Sequence, residues 1–393
     1  MSSQARLSSK PRAAAKLARA EVSSEVNKPR RVLVGLAVAE GTGVELADVF
    51  IRIAEHLAKM YCIDLTIKKS PRLYQTYQSI ICRKNSASAI QLTRIDAVHY
   101  EQYCRKLAKL GACAVFRTAM NAQSLYLVRQ RLGAVKIELL CSDRANVMLI
   151  RDEAQGFYTG QNSHEFGKSI ITRSCRFSRR TTEAVVEFAI REARRQWGYN
   201  GVQRTIMAYK FHLLDGLFSS WVKEWSVKSG VKIELYQPDT MNRDIIRNGL
   251  DGRILLIGAN EWADIMHEVL LRQFRLGPQE SRFTRNVYLD RQMNRLTEYQ
   301  TVHGSADDLA GKGTVNPIAT IRAAAAVMED HGGCQGAQNA TEECLKWLAD
   351  RGILTADLGG KHGTQVVVDT FLQILEPQQR EPRHNSEIRC TRN

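Results

Sequence analysis

The sequence lacks any hydrophobic run that approaches the roughly 20 residues of a membrane-spanning helix. Its apolar runs, such as Arg253–Ile257 and Ala323–Val327, are far shorter. The 393 residues are 44% hydrophobic and 25% charged, which is typical of a globular protein of about two domains. Composition therefore excludes an integral membrane protein, a wholly disordered chain, collagen and a coiled coil as descriptions of the whole chain.

Closely spaced cysteine pairs are also missing. Nine cysteines are dispersed along the chain, and no two of them stand in CxxC spacing. Structural zinc sites use such pairs, and disulfide frameworks are typical of short secreted chains. The pattern argues against both kinds of site and predicts reduced thiols.

Acidic residues are missing from the start of the chain, where Glu21 is the first. Residues 1–31 contain eight Lys or Arg and only two acids, with Ser and Ala between them. This composition is typical of a mitochondrial or plastid transit peptide, and a secretory signal is excluded because no apolar region precedes Val32. We predict a basic targeting tail over residues 1–31 and a mitochondrial, matrix-side location. A solvated tail without a targeting role is the alternative.

A basic block with interleaved aromatic residues is absent as well. The net charge is +15, of which the tail carries +6, and the remaining +9 is scattered along the chain. Nucleic-acid binding needs a concentrated basic face. The charge pattern therefore gives no support to a nucleic-acid partner.

After the tail, β-branched apolar runs alternate with amphipathic stretches, which is typical of an α/β protein with a largely parallel sheet. Strands are predicted at 32–38, 63–67, 112–116, 147–150, 205–208, 232–235 and 253–257. Helices are predicted at 44–61, 182–197, 215–229, 317–329 and 341–351. The last residues, 377–393, are polar and are predicted to form a frayed tail.

Two glycine-containing segments are candidates for binding phosphate or a nucleotide. Residues 39–45, AEGTGVE, lie between the first predicted strand and helix, where backbone amides can face an anion. A tight turn without a ligand is the simpler interpretation of this short segment. Residues 302–328, VHGSADDLAGKGTVNPIATIRAAAAVM, combine small residues, an acid pair and a helix start at Asn316–Pro317. Such a loop could wrap the ribose of an adenosine.

The second segment closely resembles the adenosine-binding loop of the β-decarboxylating dehydrogenases, the isocitrate and isopropylmalate dehydrogenases, whose pattern is HGSAPDIAGKGIANP. Four further blocks follow the family's order: AEGTGVE resembles GDGIGPE, RDEAQGFYTG (151–160) resembles RENTEGLYSG, NEWADIMHE (260–268) resembles NLYGDILSD, and DLGGKHGTQ (357–365) resembles the closing DLGGxxxT segment. A DGLF tetrapeptide at 215–218 is shared too.

The resemblance implies a two-lobed α/β fold with a large shared mixed sheet. A large, nucleotide-side lobe would comprise 32–133 and 275–376, and a small lobe for dimerisation and metal binding would comprise 134–274. The protein is expected to form a homo- or hetero-oligomer through the small lobe. A place in a larger mitochondrial complex is compatible with this.

The resemblance also implies residue roles in cofactor binding. The positions that match the adenosine loop are His303, Gly304, Ser305, Ala306, Asp308 and Asn316. Asp308 at the ribose position favours NAD over NADP, because a carboxylate repels a 2′-phosphate. The alternative is that the loop is only a packing element of the fold.

Other matched positions carry the family's substrate, proton and metal chemistry. Arg129 and Arg151 match substrate arginines, and Tyr158 matches the family's acid tyrosine. The matches to metal carboxylates are Asp264, Glu268 one helical turn later, and Asp239, which would be donated across the dimer. These carboxylates imply Mg²⁺ or Mn²⁺, and a solvated acid pair on an exposed helix is the alternative for Asp264 and Glu268.

Several family positions are replaced. Counting back from DGLF places Met207 on the catalytic lysine and Tyr209 on the neighbouring asparagine. Counting from Arg129 places Gln123 and Leu125 on a substrate-contacting serine and asparagine, and Leu139 on a further substrate arginine. Methionine carries no proton, and an apolar side chain leaves a substrate carboxylate without a partner, at a cost of about 2–5 kcal/mol.

We therefore expect an isocitrate dehydrogenase-like protein that is catalytically inactive, retains an NAD-type adenosine loop and serves as a regulatory or structural subunit. One alternative is an active NAD- and Mg-dependent oxidative decarboxylase of isocitrate or a related 2-hydroxy acid, with Lys210 as base. Another is a scaffold that binds no nucleotide.

Overall fold

The computed structural model describes residues 30–82, 86–165, 169–293 and 295–375. The predicted basic tail up to residue 29 and the predicted C-terminal tail lie outside the described residues. Within the described ranges, no helix combines the length and the apolar character that crossing a membrane requires.

The strands of the described chain are β1 (Arg31–Ala39), β2 (Asp64–Tyr74), β3 (Ala114–Arg117), β4 (Ala134–Cys141), β5 (Ala145–Asp152), β6 (Gln161–Glu165), β7 (Ile170–Ser174), β8 (Arg204–Ala208), β9 (Ile233–Tyr236), β10 (Gly252–Ala259), β11 (Phe283–Tyr288) and β12 (Thr297–Thr301). The α-helices are α1 (Gly43–Met60), α2 (Tyr77–Ile81), α3 (Ser86–Lys109), α4 (Ala122–Leu132), α5 (Arg179–Trp197), α6 (Leu217–Ser229), α7 (Pro238–Asn248), α8 (Asn260–Gln273), α9 (Ile318–Val327), α10 (Ala337–Ala349) and α11 (Thr364–Leu375). Each strand and helix predicted from the sequence overlaps one of these elements.

One mixed sheet has the strand order β2-β1-β3-β12-β11-β4-β5-β10-β8-β9. The first half of the sheet, β2, β1, β3 and β12, is parallel, and so is the second half, β5, β10, β8 and β9. Three antiparallel pairings, β12 with β11, β11 with β4 and β4 with β5, separate the halves, which therefore run in opposite directions. The predicted large mixed sheet is confirmed. The predicted lobe boundaries at 133/134 and 274/275 stay predictions.

Helices cover both faces of the first half. The face toward α1, α9, α10 and α11 is one apolar cluster, in which Phe50 stacks on Phe116 with ring centroids 4.2 Å apart. The opposite face packs against α3 and α4. Burial on both faces explains why β1, RVLVGLAVA, is an almost continuous apolar run.

The second half is covered by α5 and α6 on one face and by α7 and α8 on the other. In β4, Val135, Ile137 and Leu139 pack toward the α5 and α6 side. Because side chains alternate along a strand, Lys136 and Glu138 point to the opposite face. That face lies between α4 and α8. The two charged side chains make it polar, although β4 is a buried strand.

Candidate functional site

The segments that follow β1 and β12 meet at the edge where these parallel strands end. The backbone amide and Oγ1 of Thr42 donate hydrogen bonds to the Ser305 carbonyl at 3.2 and 2.8 Å. Thr76 Oγ1 donates to Asp307 Oδ1 at 2.7 Å. Gly41 has a φ of +68°, and a Cβ there would lie 3.0 Å from Asp307 Oδ1, so this position requires glycine. The two glycine-containing segments therefore form one site.

The two acids of the 302–316 loop have different surroundings. Asp307 accepts hydrogen bonds from Thr76 and from Ser305 Oγ, and it anchors the loop. Ala306 has a left-handed φ of +42° that turns the chain before the acid pair. Asp308 is exposed, and its carboxylate makes no hydrogen bond or ion pair with the described parts of the chain. Asp308, the predicted ribose ligand, is thus free to accept hydrogen bonds from hydroxyl groups.

His303 leaves a second polar atom available in the same loop. Its Nδ1 lies 2.9 Å from the Gly304 carbonyl, which places the proton on Nδ1. Burial lowers the pKa of His303, so the ring is neutral at pH 7 and Nε2 is an acceptor. This buried Nε2 has no hydrogen-bond partner among the residues described. A ligand donor such as an adenine amino group would satisfy it.

Asn316 is used within the chain. Its Nδ2 donates to Asp357 Oδ2 at 2.8 Å, and its Oδ1 accepts from the Ile318 amide at 3.0 Å. The Gly313 carbonyl accepts from the Thr364 amide at 2.8 Å. Asn316, predicted as a cofactor ligand, therefore also ties the loop to α9 and to the 357–365 segment. The free Asp308 carboxylate and the free His303 nitrogen fit the ribose and adenine of NAD.

A second group of predicted residues meets on the sheet face between α4 and α8. We call this the central cleft, and it is lined by Tyr126 and Arg129 of α4, Lys136 of β4, Arg151 of β5 and Asp264 of α8. The Arg129, Lys136 and Arg151 side chains are only 6%, 8% and 6% exposed, respectively. So much buried positive charge requires partners.

The partners are carboxylates of the same chain. Glu153 Oε2 lies 3.0 Å from Arg129 Nε, and Glu153 Oε1 lies 3.2 Å from Lys136 Nζ. Burial alone would raise the pKa of Glu153, but the charges of Arg129 and Lys136 lower it, so Glu153 is ionised. Arg151 Nη2 lies 2.7 Å from Asp264 Oδ1. Each of the three cations is therefore paired internally.

Tyr158, the predicted acid tyrosine, lies beside this ion pair. Its ring stacks on Tyr126 with centroids 5.0 Å apart, and its hydroxyl donates to Asp264 Oδ2 at 3.3 Å. Burial and the neighbouring Asp264 charge raise the pKa of Tyr158 to about 12, so the phenol stays protonated. A pocket of about 390 Å³ opens next to the two tyrosine rings. The structure thus brings Arg151, Tyr158 and Asp264 together.

The sequence motifs do not single out Lys136, Glu138, Glu153 and His267, which the structure places at or beside the central cleft. His267 Nε2 lies 3.3 Å from Glu138 Oε2, and burial lowers the pKa of His267. A signal was present in β4, whose sequence AVKIELLC places two charged residues two positions apart in an apolar strand. Charged residues are rarely buried without a partner or a function.

The three predicted metal carboxylates, Asp239, Asp264 and Glu268, do not form one group within the described part of a single chain. The two oxygens of Asp264 are engaged by Arg151 and Tyr158, and the Glu268 side chain is 54% exposed. Asp239, in the first turn of α7, is used in an ion pair elsewhere. Among the described residues, no three His, Cys, Asp or Glu side chains form a group that could hold a metal ion. The residues of a single chain therefore do not fit Mg²⁺ or Mn²⁺, and the donation of Asp239 to a partner stays a prediction.

Lys210 lies outside the central cleft. Its Nζ is 2.5 Å from Asp239 Oδ1 and 5.7 Å from the centroid of the Trp262 ring. Trp262 and Asp264 are two positions apart on α8, which corresponds to about 200° around the helix axis. Lys210 therefore lies on a different side of α8 from Asp264. It is not placed to act as a base on a substrate in the central cleft of the same chain.

Met207 lies in the middle of the apolar core. It is fully buried in β8, where its register partners are Ile257 and Leu235. A lysine here would bury an ammonium group in an apolar cluster, which is strongly unfavourable. The alignment therefore places the family's lysine position where this chain accepts only an apolar side chain.

Tyr209 has a polar partner below the cleft. Its hydroxyl donates to Asp152 Oδ2 at 3.3 Å, and Gln155 Nε2 donates to the same oxygen at 2.8 Å. The Ala154 amide donates to Asp152 Oδ1 at 3.1 Å. Burial raises the pKa of Asp152 to about 7 despite these donors. This carboxyl group is half protonated near neutral pH.

Leu125 and Leu139, two of the replaced family positions, do not line the central cleft. Leu125 is buried in the cluster beneath α3 and α4, and Leu139 packs on the α5 and α6 side of β4. The expectation that these two residues deprive a substrate of partners was wrong. Leu125 lies on the face of α4 that packs into the apolar cluster, and strand alternation in β4 puts Lys136 and Glu138, but not Leu139, on the cleft face. Gln123 does border the 390 Å³ pocket beside Tyr158.

Comparison with known proteins agrees with this geometry. The family model described as isocitrate/isopropylmalate dehydrogenase matches residues 114–374. The homoisocitrate dehydrogenase of Methanocaldococcus jannaschii is 25% identical over 255 residues, which are 63% of this chain and 68% of that protein. The mitochondrial NAD isocitrate dehydrogenase subunit 2 of Schizosaccharomyces pombe is 26% identical over 241 residues, which are 60% of each protein.

The 3-isopropylmalate dehydrogenase of Bacillus cereus is 25% identical, and this chain spans 64% of its length. Among solved structures, isocitrate dehydrogenase from Methylococcus capsulatus superposes with a TM-score of 0.61 at 16% identity, covering 88% of this chain and 100% of that one. The TT0538 protein from Thermus thermophilus has a TM-score of 0.62 at 15% identity, covering 88% of this chain and 69% of that one. At these identities the structural likeness shows the fold.

Proposed function

This chain belongs to the isocitrate/isopropylmalate dehydrogenase family, and from that premise we propose that it is a non-catalytic member that binds NAD(H). Its role is that of a regulatory or structural subunit of a mitochondrial assembly. The proposal rests on a difference between the two parts of the site. The cations of the central cleft are already engaged in internal ion pairs, whereas the 302–316 loop keeps polar groups without a partner among the described residues.

One observation carries the proposal. Glu153 occupies Arg129 and Lys136 at 3.0 and 3.2 Å, where the resembled pattern RENTEGLYSG has asparagine. Two buried cations that would attract the carboxylates of a 2-hydroxy acid thus already share one internal carboxylate. A substrate would have to displace a buried carboxylate that is covalently part of the chain, which acts as a competitor at very high effective concentration.

Proton transfer is impaired at the same site. Oxidative decarboxylation needs a base and an acid close to the substrate. Tyr158 is held as a protonated donor to Asp264, while Met207 is buried in the core and Lys210 lies on another side of α8. The two positions considered for the family's base, Met207 and Lys210, therefore both lie outside the central cleft.

The 302–316 loop supports nucleotide binding. NAD, when bound, supplies the nicotinamide that accepts or gives a hydride. Asp308 would accept hydrogen bonds from the ribose hydroxyls, and His303 Nε2 would accept one from a donor of the adenine. The hydrogen bonds of Thr42 and Thr76 hold the loop in place before the nucleotide arrives.

Two features support the role as a subunit. A fission yeast relative is itself named as a subunit of a mitochondrial NAD isocitrate dehydrogenase. The basic, acid-poor composition of residues 1–31 is typical of a transit peptide.

An active decarboxylase is the second candidate, favoured by the meeting of Arg151, Tyr158 and Asp264 in one cleft. The test measures NADH binding by fluorescence, with and without Mg²⁺ and isocitrate, and NADH formation from NAD and isocitrate in the same preparation. We expect NADH binding without turnover. Isocitrate-dependent turnover would establish the second candidate, and absence of NADH binding would leave a scaffold role.

A further inference from the structure

A wide cleft of about 1110 Å³ lies at the other edge of the sheet from the 302–316 loop. One wall is the start of α5, and the other is formed by residues 130–133 at the end of α4 and by 289–292 after β11. Because β12 runs from the second wall toward the 302–316 loop, the two sites are at opposite ends of this strand. We call it the basic cleft.

The basic cleft has an excess of positive charge. Its charged lining consists of Arg131, Arg176, Arg180, Arg191, Lys228 and Arg291, together with Glu183, Glu187 and Asp290. Six cations thus face three acids, and the acids already have partners. Lys228 Nζ lies 2.6 Å from Glu183 and 3.2 Å from Glu187, and Asp290 accepts from Arg105 at 3.1 Å.

Four arginines remain after these pairs are assigned. Arg131 is paired with Glu101 at 2.5 Å, outside the cleft. Arg176, Arg180, Arg191 and Arg291 form no ion pair with any residue that the structure describes. Unpaired guanidinium groups on two facing walls repel one another, and a multiply charged anion between them would relieve this repulsion.

The α5 wall adds to the positive potential. Arg179–Trp197 is a 19-residue helix whose first turn faces the cleft, and Ser178 Oγ accepts a hydrogen bond from the Thr181 amide at 3.4 Å. The amides at the start of the helix carry a partial positive charge. Gln155 Oε1 accepts from the Ser178 amide at 2.8 Å and fixes the position of this helix end against the sheet.

We propose that the basic cleft binds a small, multiply charged anion with carboxylate or phosphate groups, held by arginines from both walls. Its volume of about 1110 Å³ admits ligands up to the size of a nucleotide. Guanidinium groups form paired hydrogen bonds with both carboxylates and phosphates. Such a ligand would bridge the two halves of the sheet at a distance from the nucleotide loop.

The test titrates the full-length protein with citrate, inorganic pyrophosphate and ADP by calorimetry at constant ionic strength. Arg180→Gln and Arg291→Gln each remove one cation from opposite walls, and Arg247→Gln on α7 is the matched control for an exposed arginine. We expect at least one anion to bind with a Kd below about 1 mM. Each wall variant should weaken binding by about tenfold, with the control unchanged.

The three probes distinguish the source of the anion. Binding of citrate alone indicates a carboxylate ligand, and binding of pyrophosphate and ADP indicates a phosphate ligand. Weaker pyrophosphate binding in the wall variants, at unchanged NADH affinity, places the anion in the basic cleft rather than at the 302–316 loop. The proposal is overturned if none of the probes binds below about 1 mM, or if binding is the same in both wall variants as in the control. NADH affinity should be unchanged in both variants, so failure here is separate from failure of the proposed function.

Discussion

The charged groups of the central cleft are paired within the chain, whereas the 302–316 loop has polar groups without a partner among the described residues. In the cleft, Arg129 and Lys136 share Glu153 as their ion-pair partner, and Arg151 is paired with Asp264. In the loop, one acid anchors the backbone, while Asp308 faces solvent without a partner among the described residues. Both regions retain residues that the family resemblance singles out, so retention of a residue type does not by itself show that the residue is available.

The difference has an energetic origin. A buried cation must be paired, and a side chain of the same chain does so without the entropy cost of binding a ligand. An exposed carboxylate is hydrated and needs no internal partner. The cleft is therefore stable without a substrate, and the loop remains ready for a ligand.

The largest effect is expected on stability when the cleft loses its internal carboxylate. Glu153→Gln leaves Arg129 and Lys136 without a full counter-charge, and it should lower the free energy of unfolding by about 3–5 kcal/mol. Urea unfolding measures this, with the exposed Glu343→Gln as a control that changes stability by less than about 0.5 kcal/mol. A loss below about 1 kcal/mol in Glu153→Gln would mean that these ion pairs contribute no more than exposed ones, and it would contradict the interpretation of the cleft as internally paired.

A smaller, pH-dependent effect is expected at Asp152, just beneath the cleft. Its folded-state pKa of about 7 lies above its ordinary value of 3.8, so the folded protein binds a proton that the unfolded chain releases. The stability of the natural chain should therefore fall, relative to Asp152→Asn, as the pH rises from about 4 to 7, by more than ~1 kcal/mol. Thermal unfolding of both proteins across this range gives the difference. If the gap between them were constant with pH, the carboxyl would not titrate in this window.

The smallest effect on stability is expected in the loop. Asp308→Asn should leave unfolding unchanged but weaken NADH binding by about tenfold, because a charged acceptor for the ribose is lost. The exposed Asp143→Asn, in the turn between β4 and β5, is the matched control. Equal NADH affinity in both variants would remove the loop from the nucleotide site.

Much of the fold could be predicted from the sequence because the pattern of β1 and α1 is strong. Continuous apolar runs indicate strands buried on both faces, and the spacing of Leu46, Phe50, Ile53 and Leu57 indicates a helix. The mixed order of the sheet came only from the family resemblance, since strand pairing between distant segments leaves no local signal.

The site could be predicted in part. Arg151, Tyr158 and Asp264, which were matched from separate blocks, lie in contact in one cleft, and their roles stay predictions. The pairing of Glu153 could not be predicted, because it depends on where α4 and β4 lie in space rather than on a motif. The sequence did not show on which face of β4 Leu139 lies, because a shift of one residue along a strand moves a side chain to the opposite face.

The most direct test of the central claim is calorimetric titration of isocitrate into the natural chain and into Glu153→Asn, both saturated with NADH. Glu153→Asn restores the residue of the resembled pattern and frees Arg129 and Lys136. If the cleft is closed by its own carboxylate, the variant should bind isocitrate at least about tenfold more tightly than the natural chain. Equal or tighter binding by the natural chain would contradict the account.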